Sequence, residues 1–106
     1  MSCWDDIARA LEDVDPVCPS RAGTAALWKT ITADAPGGPD PKGVPDQVVR
    51  ALSAVDRAWL VQLGQDPDTS KEQLEQAISL CQNLRAAHGY STLPLRYARV
   101  ELSAVL

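Results

Sequence analysis

Pro36-Gly37-Gly38-Pro39-Asp40-Pro41-Lys42-Gly43-Val44-Pro45 divides the chain. Seven of these ten residues are Pro or Gly. Proline removes a backbone donor and glycine has the largest entropy cost of ordering, so no helix or strand is expected to run through the stretch. It offers few apolar side chains to bury. The expectation is an exposed, tolerant loop that joins residues 1–35 to residues 46–106.

On either side of the loop the pattern is helical. Trp4, Ile7, Ala8, Leu11 and Val14 share one face of a first helix, with Ser2 as its cap and Asp5 in capping-box position. Asp15-Pro16 stops it. A second helix is predicted over 20–34, with Ala25, Trp28, Ile31 and Ala35 as a stripe and Leu27 beside it. A third is predicted over 46–63, capped by Asp46, with Val48, Val49, Leu52, Val55, Trp59, Leu60 and Leu63 on a broad apolar face. At about 1.5 Å per residue it would be about 27 Å long and central to the domain. Gly64 suits the position just past its end.

A fourth helix is predicted from near Ser70, with Thr69 and Glu72 in capping-box spacing. Leu74, Ala77, Ile78, Cys81 and Leu84 face inward, and Arg85 and His88 lie in the last turn, where positive charge suits the helix dipole. Residues 93–106 fit two patterns. Leu95, Ala98, Leu102 and Val105 fall at helical spacing, whereas Ala98, Val100, Leu102 and Ala104 alternate as in a strand. Helix is favoured, because Leu102-Ser103-Ala104-Val105 repeats Leu52-Ser53-Ala54-Val55 and a lone strand has no partner. The predicted class is therefore all-α: a compact bundle of four to five helices in one domain, two antiparallel hairpins joined by the loop at 36–45.

The two halves also resemble each other. Asp5-Asp6-Ile7-Ala8-Arg9-Ala10-Leu11-Glu12-Asp13-Val14-Asp15 aligns with Asp46-Gln47-Val48-Val49-Arg50-Ala51-Leu52-Ser53-Ala54-Val55-Asp56 at an offset of 41, with six of eleven positions identical. The offset lies in the range of two-helix repeats. Amphipathic helices drawn from Ala, Leu, Val, Asp and Arg also converge on such patterns. Two units are fewer than the three or so that a solenoid needs.

The 106 residues carry a net charge of −4, with 45% hydrophobic and 23% charged residues. That is the composition of a folded domain, and its acidity argues against general nucleic-acid binding. No stretch approaches the about 18 apolar residues of a membrane span, so no membrane partner is expected. Three cysteines, Cys3, Cys18 and Cys81, with no basic and apolar leader, suggest free thiols in a reducing, cytoplasmic setting.

Little in the sequence supports catalysis. There is one histidine, and no motif surrounds any Cys or Ser. Cys81 and His88 lie seven residues apart on one helix face, about 10 Å along the axis, too far to share an ion even with Cys3 or Cys18. Core filler and dipole partner are the simpler roles, and no metal or cofactor is expected. Gly37-Gly38 lacks the Lys of a phosphate loop.

What remains points to protein binding. Asp6, Glu12 and Asp13 project from the first helix away from its apolar stripe and suit a basic partner. Arg85, Tyr90, Arg96, Tyr97 and Arg99 form a basic-aromatic cluster suited to an acidic one. The two sets can instead pair with each other inside the fold. The favoured function is a non-enzymatic protein-binding module: an inhibitor, a toxin-immunity or anti-defence protein, or a regulatory adaptor, docking through the acidic face. The alternatives are a small helical subunit of a larger nucleoprotein or enzyme complex, contacting it through the basic C-terminal cluster, and a helical DNA-binding regulator.

Overall fold

Every regular element is helical in the computed structural model, which describes residues 3–33 and 38–105. Six α-helices follow in order: α1 Cys3–Glu12, α2 Arg21–Ile31, α3 Asp46–Ser53, α4 Asp56–Gly64, α5 Lys71–Ala87 and α6 Leu93–Glu101. A short 3-10 turn, Pro41–Gly43, precedes α3. The expected Ser2 cap and residues 34–37 lie outside the described residues; the second helix already ends at Ile31, with Thr32 as its C-cap, short of the expected residue 34. The all-α class is borne out, with six helices among the described residues where four to five were expected; of the C-terminal segment, Leu93–Glu101 is helical and residues 102–105 are turn.

The third predicted helix is two helices. The chain turns at Ala54-Val55, and Val55 adopts φ −127° and ψ −8°. No Pro or Gly marks this break. It lets Val48, Val49 and Leu52 pack from α3 while Trp59, Leu60 and Leu63 pack from α4. The longest helix is instead α5, with 17 residues. Its capping box is formed by Ser70 and Gln73, not by Thr69 and Glu72. Thr69 Oγ1 donates to Asp66 in the preceding turn.

Two other termini differ from expectation. Pro45, not Asp46, occupies the N-cap of α3, and Asp46 lies in the first turn. Gly64 is the last residue of α4, not a residue beyond it. A Cβ there would lie 2.5 Å from Leu102 Cδ2, so a side chain at this position would push the Leu102 tip aside.

The core joins residues from both sides of the Pro/Gly stretch. Ile7 and Leu11 of α1, Leu27, Trp28 and Ile31 of α2, and the inner faces of α3 to α6 form one cluster. α1 packs on α2 and α3, α2 on α4, and α4 on α5 and α6. The radius of gyration, 12.4 Å, matches the about 13 Å of a close-packed chain near this length. Trp28, Leu52, Val55, Trp59, Ile78 and Leu84 are all buried as expected. The Trp28 and Trp59 rings pack at 6.1 Å and 54°, and Trp59 Nε1 donates to the Thr24 carbonyl at 3.2 Å. Leu95, Ala98 and Leu102 are buried, while Val105, past the end of α6, is exposed.

The loop is not a passive exposed link in its described part. Val44 is buried in the core. Asp40 caps the 3-10 turn by accepting from the Lys42 N–H, and the turn packs on α5. Gly38 has φ +99° and touches Leu80 of α5 closely enough that a Cβ would lie 2.5 Å from Leu80 Cδ2. Residues 38–45 are therefore a strap laid on α5.

The repeated segments fold alike at first. α1 and α3 pack on each other and end at aligned positions, Glu12 and Ser53. Ile7 and Leu11 are buried, as are their counterparts Val48 and Leu52. The last aligned pair diverges. Asp15 is exposed and accepts the Val17 and Cys18 N–H groups, whereas Asp56 is buried in a salt bridge.

Candidate functional site

Arg85, expected in the surface cluster, is buried and points inward. It grips both carboxylate oxygens of Asp56 and donates to the Ser91 and Ser53 carbonyls, each at 2.7 Å. Ser53 ends α3, so its carbonyl lacks a helical partner, and Arg85 supplies one. Burial pushes the Asp56 carboxyl up from its ordinary value, while the Arg85 hydrogen bonds and charge act to lower it. Burial also raises the neighbouring Cys81 thiol well above the usual range, with the Asp56 charge adding to it. Burial in the core thus disfavours the thiolate form of Cys81, the form that nucleophilic or metal chemistry requires.

His88 and Tyr90 tie the end of α5 to α3 and the strap. Tyr90 donates to Asp46 Oδ1 at 2.9 Å, and His88 Nδ1 lies 3.3 Å from the same oxygen. His88 Nε2 lies 3.3 Å from the Pro41 carbonyl oxygen. Tyr90 is half-buried, so its ring serves the core more than the surface. The Tyr90 hydroxyl is the main reason that the Asp46 carboxyl is held below its ordinary value. Among the described residues, no three His, Cys, Asp or Glu side chains converge to hold a metal.

The other members of the cluster are on α6, which has two faces. Leu95 and Ala98 enter the core. On the outward side Leu93 is 50% exposed, Tyr97 54% and Val100 72%. These three lie at i, i+4 and i+7, so they form one apolar stripe on a helix surface. Arg96 is exposed beside it and makes no ion pair among the described residues. Arg57 of α4 lies 5.6 Å from the Tyr97 ring centre and pairs with Glu101. Arg99 pairs with Glu75 at 3.1 Å. The stripe is thus outward-facing, aromatic at its centre and flanked by guanidinium groups.

The acidic set behaves differently. Asp6 and Glu12 on α1 and Asp13 just past its end are exposed and make no ion pair among the described residues. The alternative pairing of the α1 acids with the C-terminal arginines is not seen among the described residues: α6 packs on α4 and α5, α1 on α2 and α3, Arg99 pairs with Glu75, and Arg96 has no acidic partner. Glu12 also lines a groove of about 370 Å³ between α1 and α3. Asp5, expected in capping-box position, lines it too, whereas Asp6 and Asp13 are not among its lining residues.

A cleft of about 520 Å³ runs beside Val17, Cys18 and the α3–α4 turn, with the paired Arg57 and Glu101 among its lining residues. At its base the charged groups, Asp56 and Arg85, already satisfy each other. No helix among the described residues is long and apolar enough to cross a membrane. In comparison with known proteins, no family model, curated protein or solved structure matches this chain.

Proposed function

We propose that this chain is a non-enzymatic protein-binding module that contacts its partner through the outward face of α6. One observation carries the reading: Leu93, Tyr97 and Val100 form an exposed apolar stripe on a helix whose opposite side is core. A lone exposed apolar residue is ordinary, but an aligned set with a central Tyr and an unpaired Arg has the composition of interface hot spots. The surface is the one invoked for a small subunit of a larger complex, and it suits an inhibitor, an immunity or anti-defence protein, or an adaptor equally well. The state of the reactive groups supports a non-catalytic role, since Cys81 is a buried thiol and His88 is engaged with Asp46 and Pro41. A DNA-binding regulator is less well supported, because a net charge of −4 opposes counterion release from a duplex.

The test is a pull-down from native lysate, read by mass spectrometry, with wild type and the double variant Tyr97→Glu, Val100→Glu side by side. Both positions are exposed, so the variant keeps its circular dichroism spectrum and thermal midpoint. The partner recovered with wild type is lost with the variant. Equal recovery by both proteins overturns the α6 reading.

A further inference from the structure

We infer that the groove between α1 and α3 is a second docking surface, and that its occupant is a basic amphipathic helix of another protein. The groove is independent of α6, being built on different helices and a different face of the core. Its floor is apolar: half-buried Trp4 and Ala8 come from α1, and Val48 and Ala51 from α3. Ala8 and Ala51 are short and leave the space between the helices open; longer aliphatic side chains there would fill it. Its rim is acidic, with Asp5 and Glu12 among the lining residues and no Lys or Arg among them.

Charge complementarity selects the occupant. Asp5, Asp6, Glu12 and Asp13 are exposed and form no ion pair among the described residues. Arg9 is the one cation of α1. At 100° per residue it sits between the rim acids Asp5 and Glu12 on one side and Asp6 and Asp13 on the other, about 100° or more from Ala8 and Trp4, and it is not among the lining residues. Arg50, the cation of α3, is engaged with Asp46 and is not among the lining residues. A ligand entering the groove therefore meets carboxylates at its edge and apolar side chains at its base. A simple amine would answer the charge and leave the floor wet. A helix with Lys or Arg on its flanks and aliphatic anchors at i, i+3, i+4 and i+7 answers both, which is the helix-in-groove mode. The lining runs from Trp4 to Glu12 on α1 and from Gln47 to Ala51 on α3, about one to two helical turns, enough for one or two anchors. The carboxylates also steer such a partner inward, so association slows as salt rises.

The probe is a synthetic peptide of about 18 residues, five helical turns, with Leu on one helical stripe and Lys elsewhere. Its controls are a scrambled peptide of the same composition and a Leu/Glu peptide with the same stripe. Binding is followed by amide chemical shifts. The Leu/Lys helix moves resonances of α1 and α3, centred on Ala8, Glu12, Gln47 and Ala51, and binds several-fold more tightly than the scrambled peptide. The Leu/Glu helix does not bind. Ala51→Arg, at an exposed position, puts a cation in the groove and weakens binding at least about tenfold, and Asp5→Asn with Glu12→Gln weakens it less. Tyr97→Glu with Val100→Glu leaves it unchanged. Binding that maps to α6, that the scrambled peptide matches, or that survives Ala51→Arg overturns the inference, as does no binding at all. None of those outcomes touches the α6 reading, which the lysate experiment decides separately.

Discussion

Arg85 clasps Asp56 from two sides at once: Nε donates to Oδ2 at 2.7 Å and Nη2 to Oδ1 at 2.8 Å, with both side chains almost fully withdrawn from water. The same guanidinium reaches the Ser53 and Ser91 carbonyls. One side chain on α5 thus closes the α3–α4 break and anchors the approach to α6. A buried pair of this kind adds little net stability over an apolar replacement, but breaking it is costly because one charge is left unanswered.

Arg85→Met is therefore expected to lose about 3–5 kcal/mol, since the Asp56 carboxylate stays buried without its partner. The double variant Arg85→Met, Asp56→Leu recovers much of that loss. Urea denaturation of the four proteins of the cycle measures both terms. A loss below about 1 kcal/mol for Arg85→Met would show that water reaches Asp56 and that the clasp does not hold the turn.

Thr24 offers the opposite case. Its Oγ1 is a buried side-chain oxygen without a hydrogen-bond partner among the described residues. Thr24→Val keeps the shape and the branched Cβ and removes the unsatisfied hydroxyl. The expected outcome is a gain of about 1 kcal/mol in stability, read by denaturant titration. A loss of similar size would reveal a bonding partner for the hydroxyl.

The strap can be tested with two glycines a few residues apart. Gly38 combines φ +99° with the close approach of Leu80, while a Cβ on Gly43 meets nothing within 4 Å. Gly38→Ala should destabilise by about 1–3 kcal/mol. Gly43→Ala should stay within about 0.5 kcal/mol of wild type. Equal, small effects at both positions would restore the picture of a passive loop.

Acid should weaken the fold through Asp15 and Asp46. The carboxyl of Asp15 is lowered chiefly by the Val17 N–H and then that of Cys18, and Asp46 chiefly by the Tyr90 hydroxyl. A carboxyl whose folded value lies below its unfolded value contributes stability above the unfolded value, near pH 4, and loses it as the pH falls through the folded one. Stability should thus decline below about pH 4, and Asp15→Asn with Asp46→Asn should flatten the decline. Melting curves between about pH 3 and 6 measure it, and an unchanged slope in the double variant would assign the acid sensitivity to other groups.

Legibility in the sequence followed a physical line. Apolar spacing located the inner face of each helix, so Ile7, Leu11, Leu52, Trp59, Ile78 and Leu84 were read correctly as core. It also located Arg96, Tyr97 and Arg99 together on one helix and set Asp6, Glu12 and Asp13 outward. The α3–α4 break was not legible, because Ala54 and Val55 carry no breaker chemistry and the turn is held by a residue of α5. The role of Arg85 was hidden for the same reason: beside a helix end, a surface cation and a buried clasp have the same local sequence.

The sequence by itself determined the all-helical class and the inward stripes, because those depend on backbone preference and on side chains three and four residues apart. Only the tertiary structure decided what the aligned aspartates do. Asp15 and Asp56 end the same eleven-residue pattern, yet one caps an exposed turn and the other is buried against Arg85. It also decided that the strap lies on α5, that Asp5 and Glu12 edge a groove and that Tyr97 and Val100 face outward. Each of those depends on which distant element packs alongside, and that is settled by the folding of the whole core.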